Sequence, residues 1–99
     1  MKQLTPELQI EILQEATKNI KLDNDKFLCI ILRDILWNRD IVPQDHDPNI
    51  SDYIPLFTRQ NADFFNTNPK LRHAWWLVCL EEDRLRFLNW LIEENKKLL

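Results

Sequence analysis

The sequence predicts an all-α fold, a compact small bundle of about four to five helices with a long middle loop, and three observations carry that prediction. Apolar residues recur at helical spacing near both ends of the chain, the run KFLCIILRDILW stays apolar for longer than a buried strand needs, and glycine is absent from all 99 residues. Tight hairpins draw on glycine for their positive backbone angles, whereas helices can end on asparagine instead, and the chain has nine asparagines. Hydrophobic residues make up 44% and charged residues 29%, ordinary values for a folded domain, and the length suits a single helical domain over residues 1–99.

The first helix is expected over about Pro6 to Asn19. Thr5 can cap the free N–H groups, Pro6 fits the first helical position, and Glu7 suits the positive end of the dipole. Leu8, Ile12, Leu13, Ala16 and Ile20 then share a face, with Glu11, Glu15 and Lys18 turned to water. The next helix, capped by Asp23 or Asn24, carries only Arg33 and Asp34 as charges within its apolar body and is expected to be central and buried. Two prolines and several polar turn formers make IVPQDHDPNI the long loop. Ser51-Asp52 and Thr58 then read as caps of two short helices, the first limited by Pro55. Asn68 ahead of Pro69 would open a helix with Leu71, Ala74, Trp75 and Val78 on one face, in competition with an extended segment through AWWLV. From Asp83 a cleaner helix buries Leu85, Leu88, Leu91 and Ile92 and ends at Lys96-Lys97, which suits the negative end of its dipole.

Composition narrows the chemistry. Without glycine a phosphate-cradling loop or dinucleotide fingerprint cannot form, which excludes the P-loop and Rossmann nucleotide enzymes. Cys29 and Cys79 lack CxxC spacing and lie in apolar runs, so they read as small buried hydrophobes in a reducing cytoplasm. The opening MKQLTPELQIEILQEA reads as an amphipathic helix start, not as a secretory signal, and no apolar run is long enough for a membrane span. Asp45-His46-Asp47 offers two carboxylates around an imidazole, but adjacent side chains diverge and too few further ligands exist to close a metal site. The single serine, Ser51, reads as a cap and leaves His46 without a nucleophile to activate. Glu81-Glu82-Asp83 and Glu93-Glu94 read as solvated charge. Neither an enzyme nor a cofactor is expected.

Charge and aromatic residues point to binding instead. Residues 40–67 hold Asp40, Asp45, Asp47, Asp52 and Asp63 against Arg59, so the formal net charge of −3 is concentrated in the middle of the chain. Arg72, His73, Trp75 and Trp76, followed by Arg84 and Arg86, mix basic and aromatic groups as nucleic-acid binders do. A pI near 5.3 opposes that reading, because phosphate neutralisation supplies most non-specific affinity. Neighbouring side chains on a helix diverge by about 100° and on a strand by about 180°, so Trp75 and Trp76 cannot both point fully inward. Trp75 is assigned to the core face with Leu71 and Val78, and Trp76 to the surface beside Arg72.

The segments LTPELQIEILQEATKNI, FLCIIL, IPLFTRQNA and WW…EEDRLRFLNWLIEENKKL together resemble a set of small proteins of bacteriophages and mobile elements. Those proteins join an N-terminal helix, a P-x-F-T-x-x-N-A segment, a Trp-rich stretch and a closing helix with R-x-x-F-L-x-W-L-I. The resemblance spans most of the chain, through packing residues that carry no assigned chemistry. It implies a phage-type context in a bacterial host, and with it a host-takeover or anti-defence protein, anti-CRISPR inhibitors being one kind. Such a protein is expected to dock stoichiometrically on a larger host protein that handles nucleic acid. Trp76 and Tyr53, flanked by Arg72 and His73, would supply buried area, and Asp45, Asp47 and Asp52 would complement a basic groove. The alternatives are a nucleic-acid binder using Arg72, Trp76, Arg84 and Arg86, or a self-associating structural protein.

Overall fold

The computed structural model describes residues 3–22, 26–72 and 80–99. Among those residues five α-helices follow one another: α1 (Pro6–Leu22), α2 (Leu28–Asn38), α3 (Ile50–Tyr53), α4 (Arg59–Phe65) and α5 (Glu81–Lys96), with a 3-10 turn at Pro69–Leu71 before the last. There is no strand among the described residues, and the fold is all-α. Its radius of gyration, 12.7 Å, is close to the value of about 13 Å for a compact chain of this size.

Helix α1 begins as its sequence dictates. The Thr5 hydroxyl accepts from the Leu8 N–H at 3.3 Å, and Pro6 and Glu7 occupy the first turn. It runs on to Leu22, past the expected end at Asn19, because Ile20 is fully buried and Lys21 suits the C-terminal end of the dipole. Ile12, Leu13, Ala16 and Ile20 are all fully buried, which marks the face that packs against α5 and α2. Removing each such Leu or Ile from water stabilises the fold by about 1.5–3 kcal/mol at most. Gln9 is buried too, and its Nε2 donates to the Leu4 carbonyl at 2.8 Å, so the entry to the helix is tied to its first turns.

Helix α2 departs from expectation in two ways. It starts at Leu28, with extended Phe27 as its N-cap and no side-chain cap, whereas Asp23 and Asn24 lie outside the described residues. It also buries one face, Leu28, Ile31, Leu32, Ile35 and Leu36, rather than its whole circumference. The outer side is satisfied locally: the Arg33 guanidinium lies 4.2 Å from the centroid of Trp37 and 3.3 Å from Asp34. The central helix is therefore α1, which packs on both α2 and α5.

The end of α2 shows how the chain manages without glycine. Asp40 adopts φ 58°, its N–H donates to the Trp37 carbonyl at 3.1 Å, and the Ile41 N–H donates to the Leu36 carbonyl at 3.0 Å. This is a Schellman end with aspartate in the left-handed position that glycine or asparagine usually fills. Arg39, at the same end, reaches Glu15 at 2.9 Å and Glu11 at 3.8 Å and so ties α2 to α1.

The short elements are set by their caps. Asn49 is the N-cap of α3, and Ser51 and Asp52 lie inside the turn instead of capping it; the Ser51 hydroxyl donates to Asn49 Oδ1 at 3.1 Å. Thr58 caps α4 as its sequence predicts, accepting from the Asn61 N–H at 3.2 Å. Asn68 likewise accepts from the Lys70 N–H at 3.0 Å, but the element it opens is described only as the 3-10 turn, and the expected continuation through Ala74, Trp75 and Val78 lies outside the described residues. Helix α5 begins two residues before Asp83 and buries Phe87, Leu88, Leu91 and Ile92, with Leu85 partly buried.

Candidate partner-binding surface

The long loop and α3 form a concave surface whose walls are fixed to the core. The Trp37 Nε1–H donates to the His46 carbonyl at 2.8 Å, the His46 N–H to the Pro43 carbonyl at 3.0 Å, and the Leu4 N–H to the Tyr53 carbonyl at 3.1 Å. Val42, Ile50 and Ile54 are buried beneath. Between these anchors lies a cavity of about 430 Å³ bordered by Pro43, His46, Asp47, Pro48, Asp52 and Tyr53, among others. A loop held this way loses little further freedom on binding, which preserves affinity.

Three of the residues singled out from sequence thus share one concavity: Asp47, Asp52 and half-buried Tyr53. Asp45 sits on the same loop outside the cavity wall, with its carboxylate 3.7 Å from His46 Nε2. The Asp47 side chain is 85% exposed and 4.0 Å from Arg33. Pairs this open to water contribute little to stability, so the Asp45 and Asp47 carboxylates remain available to an outside cation. Arg72 is exposed at the end of the 3-10 turn and does not border the cavity. Trp76 and His73 lie outside the described residues, as do Trp75 and Cys79.

The basic and acidic residues of α5 need correction. Arg84 is buried, 6% exposed, and its guanidinium donates to the Lys26 carbonyl at 2.7 Å, which ties α5 to the approach of α2. It cannot serve phosphate contact at the surface. Asp83, expected to be solvated, is 2% exposed and accepts from both the N–H (2.9 Å) and the hydroxyl (3.1 Å) of Thr67. Arg86 stands half-exposed, 3.5 Å from Asp83 and 5.7 Å above the Phe65 ring. Glu81, Glu82 and Glu93 are exposed as expected, whereas Glu94 is partly buried and pairs with Lys97 at 2.6 Å.

Cys29 is half-buried rather than buried, and burial raises its thiol pKa above the ordinary value, so it is a poor nucleophile. Among the described residues no group of three or more His, Cys, Asp or Glu side chains is placed to hold a metal ion.

One feature escaped the sequence reading. Phe57, Phe65, Phe87 and Trp90 form a run of neighbouring rings with centroids 5.5–6.2 Å apart. Phe64 extends it outward, edge-on to Phe65 at 5.4 Å, and is 82% exposed. The signal was in the sequence: two consecutive phenylalanines on a helix cannot both face the core.

The fold and surface define a small all-α bundle with an acidic, pre-shaped loop face. No protein-family model matches this chain, and no curated protein or solved structure is significantly similar to it. No helix among the described residues is long and apolar enough to cross a membrane.

Proposed function

We propose that the chain is a small protein-docking module that works by stoichiometric binding and not by catalysis, with the surface of residues 42–53 as its contact face. The observation that carries this reading is the convergence of Asp47, Asp52 and Tyr53 around one cavity on a loop pinned by Trp37. Carboxylates at the rim steer and orient a basic partner, each pair adding about 0.2–1 kcal/mol, while the aromatic ring and the proline walls supply buried area. A basic face of a host nucleic-acid-handling protein fits this chemistry. The phage-type, anti-defence setting is carried by the sequence resemblance, and the docking mode by the loop face. Burial of Arg84 counts against the nucleic-acid reading, because it removes one of the four residues on which that reading was built.

The test is co-purification from a bacterial lysate with a tagged chain, followed by reconstitution with the recovered protein. One protein retained at fixed stoichiometry, and lost with Asp47→Asn plus Asp52→Asn while the helical spectrum is unchanged, supports the reading. Retention that is indifferent to both substitutions, or recovery of nucleic acid alone with steep salt dependence, refutes it.

A further inference from the structure

A second concavity lies on α4 and α5, and the described residues lining it are not shared with the acidic cavity. Gln60, Asn61, Phe64, Phe65 and Trp90 line an open trough of about 340 Å³. Phe64 forms its lip, 82% exposed, while Phe65 and Trp90 continue into the core through Phe87. Arg86 precedes Trp90 by one helical turn on the same side of α5, with its guanidinium over the Phe65 ring and 54% of its side chain exposed. The buried Asp83 carboxylate holds that guanidinium on one side at 3.5 Å and leaves N–H groups facing water. Neither Arg86 nor Asp63, the acid of α4, is among the described residues that line the trough, and Arg86 adjoins it through the Phe65 ring, 5.7 Å away.

We propose that this trough receives a bulky apolar side chain from a short acidic segment of a partner protein, with a carboxylate next to that side chain meeting Arg86. The charge beside the trough selects this occupant. The charge fixed at its edge is positive, and an anchored guanidinium pairs with a carboxylate in a fork that a flexible lysine does not offer. Stacked bases would also suit aromatic rings, but one guanidinium on a chain of net charge −3 neutralises too few phosphates.

Two blocked peptides of the same apolar content and opposite charge, Asp-Phe-Asp-Leu and Lys-Phe-Lys-Leu, provide the test. Titration of the labelled protein is followed by NMR at the indole N–H of Trp90, assigned with Trp90→Phe. The acidic peptide should shift that resonance saturably, and the basic peptide should bind about five-fold more weakly or worse. Arg86→Gln should cost the acidic peptide about five-fold, Arg86→Lys less, and Phe64→Ser should abolish binding with the helical spectrum intact, since its ring is exposed. Equal binding of the two peptides overturns the proposal, as does no shift from either at about 1 mM. Saturable binding of an oligo-dT strand in place of the acidic peptide also overturns it. So does a concentration-dependent mass that Phe64→Ser abolishes, which would assign the trough to a second copy.

Discussion

Asp83→Ala is the sharpest test of how the fold is held. The carboxylate is 2% exposed, at the third position of α5, and it joins that helix to the segment after α4 through two bonds from Thr67. Bonds to an ionised acceptor contribute about 1.5–3 kcal/mol each, but Thr67 is exposed and recovers water when they are lost, and removing the buried charge relieves a desolvation cost. The net loss is about 2–3 kcal/mol, with Glu81 and Glu82 still serving the helix dipole. A chain of this size then melts about 10–20 °C lower. In urea the midpoint should fall by about 1–2 M at an unchanged slope. Thr67→Val should cost about 1 kcal/mol in the native background and almost nothing after Asp83→Ala, because the two share one interaction. Asp83→Asn keeps an acceptor for the Thr67 N–H and should lose about half as much as alanine. A loss below about 0.5 kcal/mol for Asp83→Ala, or a threonine effect that persists without the aspartate, would refute the reasoning.

Further outcomes follow from the same geometry. Leu91→Ala, which opens a cavity at a fully buried position of α5, should cost about 2–5 kcal/mol in denaturant unfolding. Arg84→Ala should destabilise by about 2–3 kcal/mol through loss of its bond to the Lys26 carbonyl, with no change in retention on single-stranded DNA. In a Cys79→Ser background, Cys29 should react with iodoacetamide at pH 8 more slowly in the folded chain than in urea. Burial holds its thiol protonated, so the gap should close as pH rises; equal rates at pH 8 would contradict the assignment. Trp37→Phe removes the bond to the His46 carbonyl at a cost of about 1 kcal/mol or less, yet should weaken partner capture by freeing the loop.

Helices whose signals are local were legible. Thr5, Thr58 and Asn68 each cap where the sequence places them, and the buried face of α1 follows directly from its spacing. The misplaced features depend on residues far away in the chain. Asp83 and Arg84 look like part of a solvated run because EEDR holds no hint of their partners. Those partners are Thr67, sixteen positions earlier, and the carbonyl of Lys26, fifty-eight positions earlier. A buried charge is tolerated only where such partners exist, and tertiary structure alone supplies them. Helix α2 reads as apolar around nearly its whole circumference for a similar reason: its outer face is completed by Arg33 lying over Trp37, a pairing that hydropathy does not register.

The candidate surfaces divide along the same line. That residues 40–67 are acidic is evident from composition, but not that Asp47 and Asp52 border one cavity with Tyr53, because that depends on a loop folded back onto Trp37. Two consecutive aromatics on a helix divide into one inward and one outward ring. For Trp75 and Trp76 that expectation lies outside the described residues. Applied to Phe64 and Phe65, it demands the same division on α4, where the outcome is plain: Phe65 stacks on Phe87 and Phe64 stands 82% exposed. Paired aromatics on a helix therefore mark a place where the core reaches the surface. In this chain that place adjoins a guanidinium held by Asp83, a carboxylate whose burial the local sequence EEDR does not signal.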